Sequence, residues 1–165
     1  MNSNAIKLLL ESYMPRNYVV GVYPLDRVPT DPPRRSCLVV NTDPAGEPGT
    51  HWLALYVDDN IDFFDSFGQD PSLYSLTIPS ARIVLNAPIQ SLNSDLCGEH
   101  CILFLKHRAE GESLTRIRSS YSRDNPANDF AASRQIIKLT SKLTTDQPRE
   151  PCECVQCAKR RCLCK

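Results

Sequence analysis

The chain has 165 residues, of which 41% are apolar, and this length and composition suit one globular domain with a sizeable core. No segment approaches the ~20 apolar residues of a membrane span, and the N-terminus lacks the basic start and long apolar run of a signal peptide, so an intracellular protein without a membrane partner is expected. The formal net charge is zero, but residues 148–165 carry five basic and two acidic residues against 14 and 17 in the remainder, which argues against strong nucleic-acid binding by the body.

The first 50 residues predict one helix followed by short extended segments. Apolar residues recur at helical spacing over residues 4–12, which predicts a short helix. Residues 18–23 are β-branched and aromatic, and residues 37–40 form a short apolar strand. The four prolines of residues 24–33 are typical of an irregular loop between them.

The clearest local prediction is a β-hairpin. Residues 51–57, HWLALYV, form one strand, Asp58-Asp59-Asn60 makes a tight turn, and residues 61–65 return as the partner strand. A further short strand is predicted at residues 82–85.

The C-terminal half predicts helices. The apolar residues 102–105 indicate a buried helix over residues 97–107, and amphipathic helices are predicted at 112–120 and 129–143. The core pattern then stops, which divides the chain into a domain of residues 1–147 and a Cys-rich basic tail of residues 148–165.

The hairpin brings together two titratable residues. His51 opens its first strand and Asp65 closes its second, so the two side chains lie nearly opposite each other at one end of the sheet. An aspartate beside a histidine fixes the imidazole tautomer and stabilises the imidazolium. The same pattern also describes a surface histidine beside a strand-terminating aspartate.

Cys97 lies at the junction of a polar segment and the buried helix. A thiol in the first turn feels the positive end of the helix dipole and unpaired backbone N–H groups, which favour the thiolate. Gly98 after it lets the backbone approach a substrate without a Cβ in the way. A small buried cysteine without catalytic function is the alternative interpretation, and it fits Cys101 well.

Gln90 lies seven residues before Cys97. Acyl transfer through a thiolate creates an oxyanion, which the backbone N–H of Cys97 and a side-chain amide can stabilise together. The intervening loop is long enough to bring Gln90 beside the thiol. An ordinary loop glutamine has the same sequence signature.

Taken in order, the segments GTHWLAL, FFDSFG and CGEHCILFL, with Gln90 seven residues before the cysteine, resemble the adenovirus-type cysteine proteases, the adenain family. That family has a GxHWxAF-like strand, an FEPFG-like segment and a Gln…NSxxCGxFCxxFL run. The likeness spans roughly residues 18–105. A more distant likeness is to the proteases that process ubiquitin-like modifiers.

The resemblance implies a role for each matching residue. His51 would be the general base, Asp65 its orienting acid, Gln90 the oxyanion donor and Cys97 the nucleophile. Asp65 departs from the glutamate of the adenovirus enzymes but matches the modifier-processing ones. The resemblance also implies an α+β fold, a mixed central sheet flanked by helices with the catalytic cysteine at the start of a buried helix.

The implied substrate site is a narrow cleft that accepts glycine before the scissile bond. Trp52 and Gly98 are its candidate substrate-binding residues, and core packing on the hairpin is an equal alternative for Trp52. The implied function is a cysteine endopeptidase that cleaves viral capsid or core precursors during virion maturation, as a monomer located in the virion and the host nucleus. A deubiquitinating or desumoylating protease and a non-catalytic DNA- or capsid-binding protein are the alternatives.

The tail, PCECVQCAKRRCLCK, has the spacing C-x-C-x2-C-x4-C-x-C. No second CxxC or histidine follows at finger-like spacing, so no metal site is predicted. Its VQ and KRR-C elements resemble the basic peptide that activates the adenovirus enzymes, which suggests a built-in activator. No cofactor is expected for the chemistry itself, whereas a basic peptide, from this tail or a partner protein, and DNA are candidate activators.

Overall fold

The structure, a computed structural model, describes residues 1–145 except 77 and 79. In these residues the elements follow in the order α1 (Ser3–Tyr13), β1 (Val19–Pro24), β2 (Ser36–Asn41), β3 (Trp52–Val57), β4 (Ile61–Phe64), β5 (Arg82–Ile83), α2 (Cys97–Ala109), α3 (Leu114–Ser120) and α4 (Asn125–Thr145). Short 3₁₀-helices lie between β1 and β2, at Leu25–Arg27, and between β4 and β5, at Pro71–Tyr74. The predicted boundary at residue 147 and the tail lie outside the described residues.

The strands form one mixed sheet in the order β1-β2-β3-β4-β5. The two outer pairs, β1–β2 and β4–β5, are parallel, and the pairs that include β3 are antiparallel. The expected α+β fold with a mixed central sheet and flanking helices is confirmed.

Both faces of the sheet are buried, and this explains why β3 lacks an alternating polar pattern. Trp52, Ala54 and Tyr56 of β3 pack into a core cluster with residues of all four α-helices. Leu53 and Leu55 point to the opposite face, where a smaller cluster lies under the loops before β2 and after β4. The helix-bearing face therefore meets α2, and α2 carries Cys97.

Several boundaries differ from the sequence-based prediction. Helix α4 begins at Asn125 rather than 129, because Pro126 in its first turn suits a helix start and the polar residues there face neighbouring backbone. Helix α3 begins at Leu114 rather than 112, with Ser113 as its N-cap. Strand β5 has two residues rather than four, although the N–H of Val84 still donates to Phe63.

A helix that spans a membrane requires about 20 predominantly apolar residues. None of the helices in residues 1–145 is long and apolar enough to cross a membrane.

Candidate active site

The hairpin places His51 just before β3 and Asp65 just after β4. Pairing of Ala54 with Phe64 sets the register, and its continuation makes His51 and Asp65 diagonal neighbours at the open end of the hairpin. The Nε2 atom of His51 lies 2.7 Å from Oδ1 of Asp65, and both side chains are buried. The sequence-predicted pair is therefore formed.

The carboxylate of Asp65 accepts four hydrogen bonds. Besides His51, the backbone N–H groups of Phe67 and Gln69 and the hydroxyl of Tyr74 donate to it, at 2.9, 3.0 and 2.8 Å. Burial alone would raise the pKa of Asp65, but the hydrogen bonds with His51 and with this turn outweigh burial and lower it. The group is held as an anion beside the imidazole.

The turn after β4 that supplies these N–H groups depends on Gly68. Its φ is +67°, and a Cβ there would lie 2.5 Å from the backbone of Ala87. Only glycine fits this position without displacing the neighbouring chain. The SFG sequence after Asp65 is therefore part of the site.

Cys97 is the first residue of α2, as predicted, and it lines the same cavity as His51. Burial opposes the charging of His51 and is the largest influence on its pKa. The hydrogen bond with Asp65, together with the nearby Cys97, outweighs burial and raises the pKa of His51 to about 9. Because Asp65 occupies Nε2, Nδ1 is the ring nitrogen of His51 that stays available to a partner in the cavity, and the arrangement favours the imidazolium.

Gln90 is buried beside these residues, with its amide fixed at both ends. Its Oε1 accepts a hydrogen bond from the hydroxyl of Ser66 at 2.6 Å, and its Nε2 donates to the carbonyl of Ser94 at 2.7 Å. A carbonyl can only accept, so Ser94 fixes which end of the amide is the nitrogen. The second N–H of that nitrogen is a donor that a developing oxyanion can use.

The residues line one cavity of about 350 Å³. Its wall includes all three of the predicted reacting or donating side chains, together with Trp52, a loop before β3, and the segment before α2. The lining residues are Met1, Gly49, Thr50, His51, Trp52, Phe67, Gln90, Leu92, Ser94, Asp95 and Cys97. Asp65 lies behind His51 and does not line the cavity.

Trp52 serves both interpretations that the sequence left open. Its ring belongs to the helix-side core cluster and also lines the cavity, and its Nε1 donates to the carbonyl of Met1 at 3.2 Å. Gly98, in contrast, faces the interior: a Cβ there would meet Ile6 and Trp52 at 3.3–3.4 Å. Its proposed contact with substrate stays a prediction, while its packing against α1 is visible.

The start of α2 has no side-chain cap. Leu96 precedes the helix, and no side chain of the described residues caps it, whereas α1 and α3 are capped by Asn2 and Ser113. An uncapped first turn leaves N–H groups beside Cys97 able to meet an anion. This is the chemistry that an oxyanion hole requires.

Residues that sequence reasoning missed surround the predicted ones. Ser66 and Ser94 orient Gln90, and Tyr74 and Phe67 enclose His51, whose ring lies 4.9 Å from that of Phe67 and 6.0 Å from that of Tyr74. Ser66 and Phe67 directly follow Asp65 in the FFDSFG segment, so their place in the sequence could have predicted that they lie at the site. Tyr74 lies in a 3₁₀-helix that the sequence pattern did not predict.

The other two described cysteines are buried without acid–base partners. Burial raises the pKa of Cys37 to about 12, and burial also raises the pKa of Cys101 well above its usual value. The Sγ of Cys101 donates to the carbonyl of Trp52 at 3.3 Å. Both therefore fit the inert structural role rather than the catalytic one.

In the described residues, one group of side chains has potential metal-ligand atoms close enough together to hold an ion. Ligand atoms of His107, Glu110 and Glu112 lie within 4.8 Å of one another at the end of α2. Each already has a protein partner, because His107 and Arg116 pair with Glu112 and Lys106 pairs with Glu110. None of the three lines the cavity beside Cys97.

No protein-family model matches the chain, and no curated protein matches it.

Proposed function

We propose that this protein is a cysteine peptidase in which Cys97 is the nucleophile, His51 the acid–base residue, Asp65 its orienting carboxylate and Gln90 an oxyanion donor. The observation that carries the proposal is the convergence of the imidazole, the amide and the thiol on one cavity, with the carboxylate behind the imidazole. Each group has the partner that its role requires.

The mechanism follows from these contacts. The thiolate of Cys97 attacks the peptide carbonyl carbon, and the new oxyanion accepts hydrogen bonds from the N–H of Cys97 and from Nε2 of Gln90. The imidazolium of His51 gives its proton to the leaving amine as the C–N bond breaks, which leaves a thioester. Water, deprotonated by His51, then attacks the thioester, and the acid product leaves as the thiol is restored. Asp65 stays ionised throughout and stabilises the imidazolium.

The substrate class rests on the resemblance to the adenovirus-type proteases. On that ground the proposed substrates are capsid or core precursors of a virus or virus-like element, cut after glycine, with maturation in the virion or host nucleus. A basic peptide and DNA remain proposed activators, and a monomer remains the proposed state. Trp52 and Met1 line the cavity beside Cys97, and we expect them to contact the small residue before the scissile bond.

The proposal predicts selective alkylation of Cys97. An iodoacetamide-type probe at pH 7 should label Cys97 about 10-fold faster in the wild type than in His51→Ala. An unassisted cysteine is only a few per cent thiolate at this pH, whereas a paired one is largely ionised but somewhat less nucleophilic. Rates are measured by mass spectrometry of the peptide that contains the site, which separates Cys97 from the tail cysteines.

Cys37 and Cys101 serve as internal controls for this experiment. Both are buried with raised pKa, so both should stay unlabelled while the protein is folded. Equal labelling of Cys97 in the wild type and in folded His51→Ala would contradict the proposal and favour a non-catalytic protein. Hydrolysis of Gly-containing peptides against di-glycine-linked modifier substrates then separates the precursor-cleaving and modifier-processing alternatives.

A further inference from the structure

The segment that carries Gln90 has no regular structure of its own, and the first turns of α4 hold its backbone. The Nδ2 of Asn125 donates to the carbonyl of Gln90 at 3.1 Å, and the Nδ2 of Asn128 donates to the carbonyl of Ile89 at 3.0 Å. The carboxylate of Asp129 accepts from the N–H of Ser91 at 3.1 Å. Three polar side chains within residues 125–129 thus hydrogen-bond to the backbone of the three consecutive residues 89–91.

Asp129 also connects this clamp to the helix of the nucleophile. Its second carboxylate oxygen lies 2.9 Å from Nε2 of His100, which is one turn after Cys97 on α2. Both side chains are nearly inaccessible, with 11% and 2% of their surface exposed. Burial would raise the pKa of Asp129, but the hydrogen bonds with His100 and Ser91 lower it, so the group is ionised.

The geometry of these contacts has a direct consequence for the amide of Gln90. The side-chain bonds to Ser66 and Ser94 set the direction of the amide, but the position of the whole residue depends on its backbone. A donor must lie about 3 Å from the place where the oxyanion forms, and small displacements of such donors reduce the rate strongly. Two sets of contacts hold this backbone: the N–H groups of Ile89 and Gln90 donate to the carbonyl of Ser66, at 2.9 and 3.3 Å, on the hairpin side. On the other side, Asp129 of α4 connects the segment to His100 of α2, the helix that carries Cys97.

We propose that Asp129, His100 and Asn125 are positioning residues that fix Gln90 relative to Cys97. The Asp129 carboxylate joins the loop at Ser91 to helix α2 at His100, and Asn125 holds Gln90 itself. The inference rests on the proposed peptidase function for its kinetic consequence, whereas the clamp on residues 89–91 exists independently of catalysis.

The test is a double-mutant cycle between the clamp and the donor. In the full chain, Asp129→Ala should lower kcat about 10-fold with KM nearly unchanged, because the oxyanion donor acts in the transition state rather than in substrate binding. In a Gln90→Ala background the same substitution should lower kcat less than about twofold further, because the donor it positions is already gone. Asp129→Asn keeps an oxygen that can accept from Ser91 and should lose less activity than Asp129→Ala.

The control variant is His107→Gln. His107 lies on the same helix and forms a histidine–carboxylate pair of the same length, 2.9 Å to Glu112, but it does not touch residues 89–91. It should leave kcat unchanged. Equal losses from Asp129→Ala with and without Gln90, or a rise in KM at constant kcat, would overturn the positioning role.

Two further measurements distinguish failure of the positioning role from misfolding of a variant and from failure of the peptidase proposal. Asn125→Ala removes one clamp contact at a partly exposed residue, so it should fold even if Asp129→Ala does not, and should lower kcat in the same Gln90-dependent way. Amide hydrogen exchange of the peptide spanning residues 89–91 should accelerate in both variants but not in His107→Gln. Unchanged exchange would refute the clamp, whereas an inactive wild type with accelerated exchange in the variants would refute only the peptidase function.

Discussion

His51 is the residue through which the other groups of the site act. One ring nitrogen lies beside the ionised carboxylate of Asp65, and the ring lines the same cavity as Cys97. Removal from water disfavours the imidazolium, so its stability depends on these two partners being in place together. The charge of His51 therefore depends on two opposing influences on its pKa: burial, which lowers it, and the neighbouring Asp65 and Cys97, which raise it.

The pKa of His51 provides a prediction at this scale. By NMR titration, the wild-type imidazole should have a pKa of about 9. Cys97→Ala and Asp65→Asn should each lower the pKa, because each removes a partner that favours the charged ring. Only three histidines are present in the chain, and the resonance that disappears in His51→Gln identifies the right one.

The same shift determines how stability depends on pH. The folded-state pKa of His51 lies above its ordinary value of 6.5, so the pairing stabilises the fold fully below pH 6.5. This contribution, on the order of 3 kcal/mol, should be lost as pH rises through about 9. Urea unfolding from pH 6 to 9.5 should show the loss in the wild type and not in His51→Gln, and parallel curves for the two proteins would contradict the raised pKa.

At the scale of elements, α1 and α2 approach each other closely at Gly98, next to the residue that carries the thiol. Gly98 lies in the first turn of α2, where a Cβ would meet Ile6 at 3.3 Å and Met1 and Trp52 at 3.4 Å. A single methyl group requires a shift of a few tenths of an ångström, whereas a larger side chain must separate the helices. The glycine is thus explained by packing without any appeal to substrate.

Substitution at Gly98 separates packing from substrate contact. Gly98→Ala should change the free energy of unfolding by less than about 1 kcal/mol, since the higher helix propensity of alanine offsets the tight contacts. Gly98→Leu should destabilise by about 2–3 kcal/mol or more through overpacking. The measurements are urea unfolding and peptide hydrolysis. A large rise in KM for Gly98→Ala at unchanged stability would instead support the role in substrate binding.

The elements also show what sequence could and could not predict. The hairpin was predictable because its turn residues and strand lengths fix the register, and the register brings His51 to Asp65. The position of Cys97 followed from the change from polar to apolar residues. The face of β3 that meets α2 was not predictable, because all six residues of the strand are buried and no alternation marks the faces. Asn125 and Asn128 look like ordinary residues of a helix start, and only the fold shows that they hold the Gln90 segment.

At the scale of the whole molecule, the site depends on packing between distant parts of the chain. The hairpin contributes His51 and Asp65, the segment before α2 contributes Gln90, and α2 itself contributes Cys97, while α4 fixes the segment between them. Sheet and helices meet through one cluster in which Phe64 stacks on Phe104 with ring centres 4.6 Å apart. The geometry of the site is therefore a property of the fold rather than of any one motif.

Removal of residues 148–165 tests whether the tail is required for peptidase activity but not for the stability of the fold. The two core clusters of the described chain are built from residues up to 143, so the fragment 1–147 should unfold cooperatively at the same urea concentration as the full chain. If the basic, Cys-rich tail is the built-in activator that its sequence suggests, the fragment should lose peptidase activity while its stability stays constant. Addition of the tail as a synthetic peptide should then restore the activity, and a peptide with its KRR replaced by alanines should not. Full activity of the fragment, with an unchanged response to DNA, would refute the activator hypothesis and leave the peptidase proposal intact, because Cys97 and its partners all lie within the fragment.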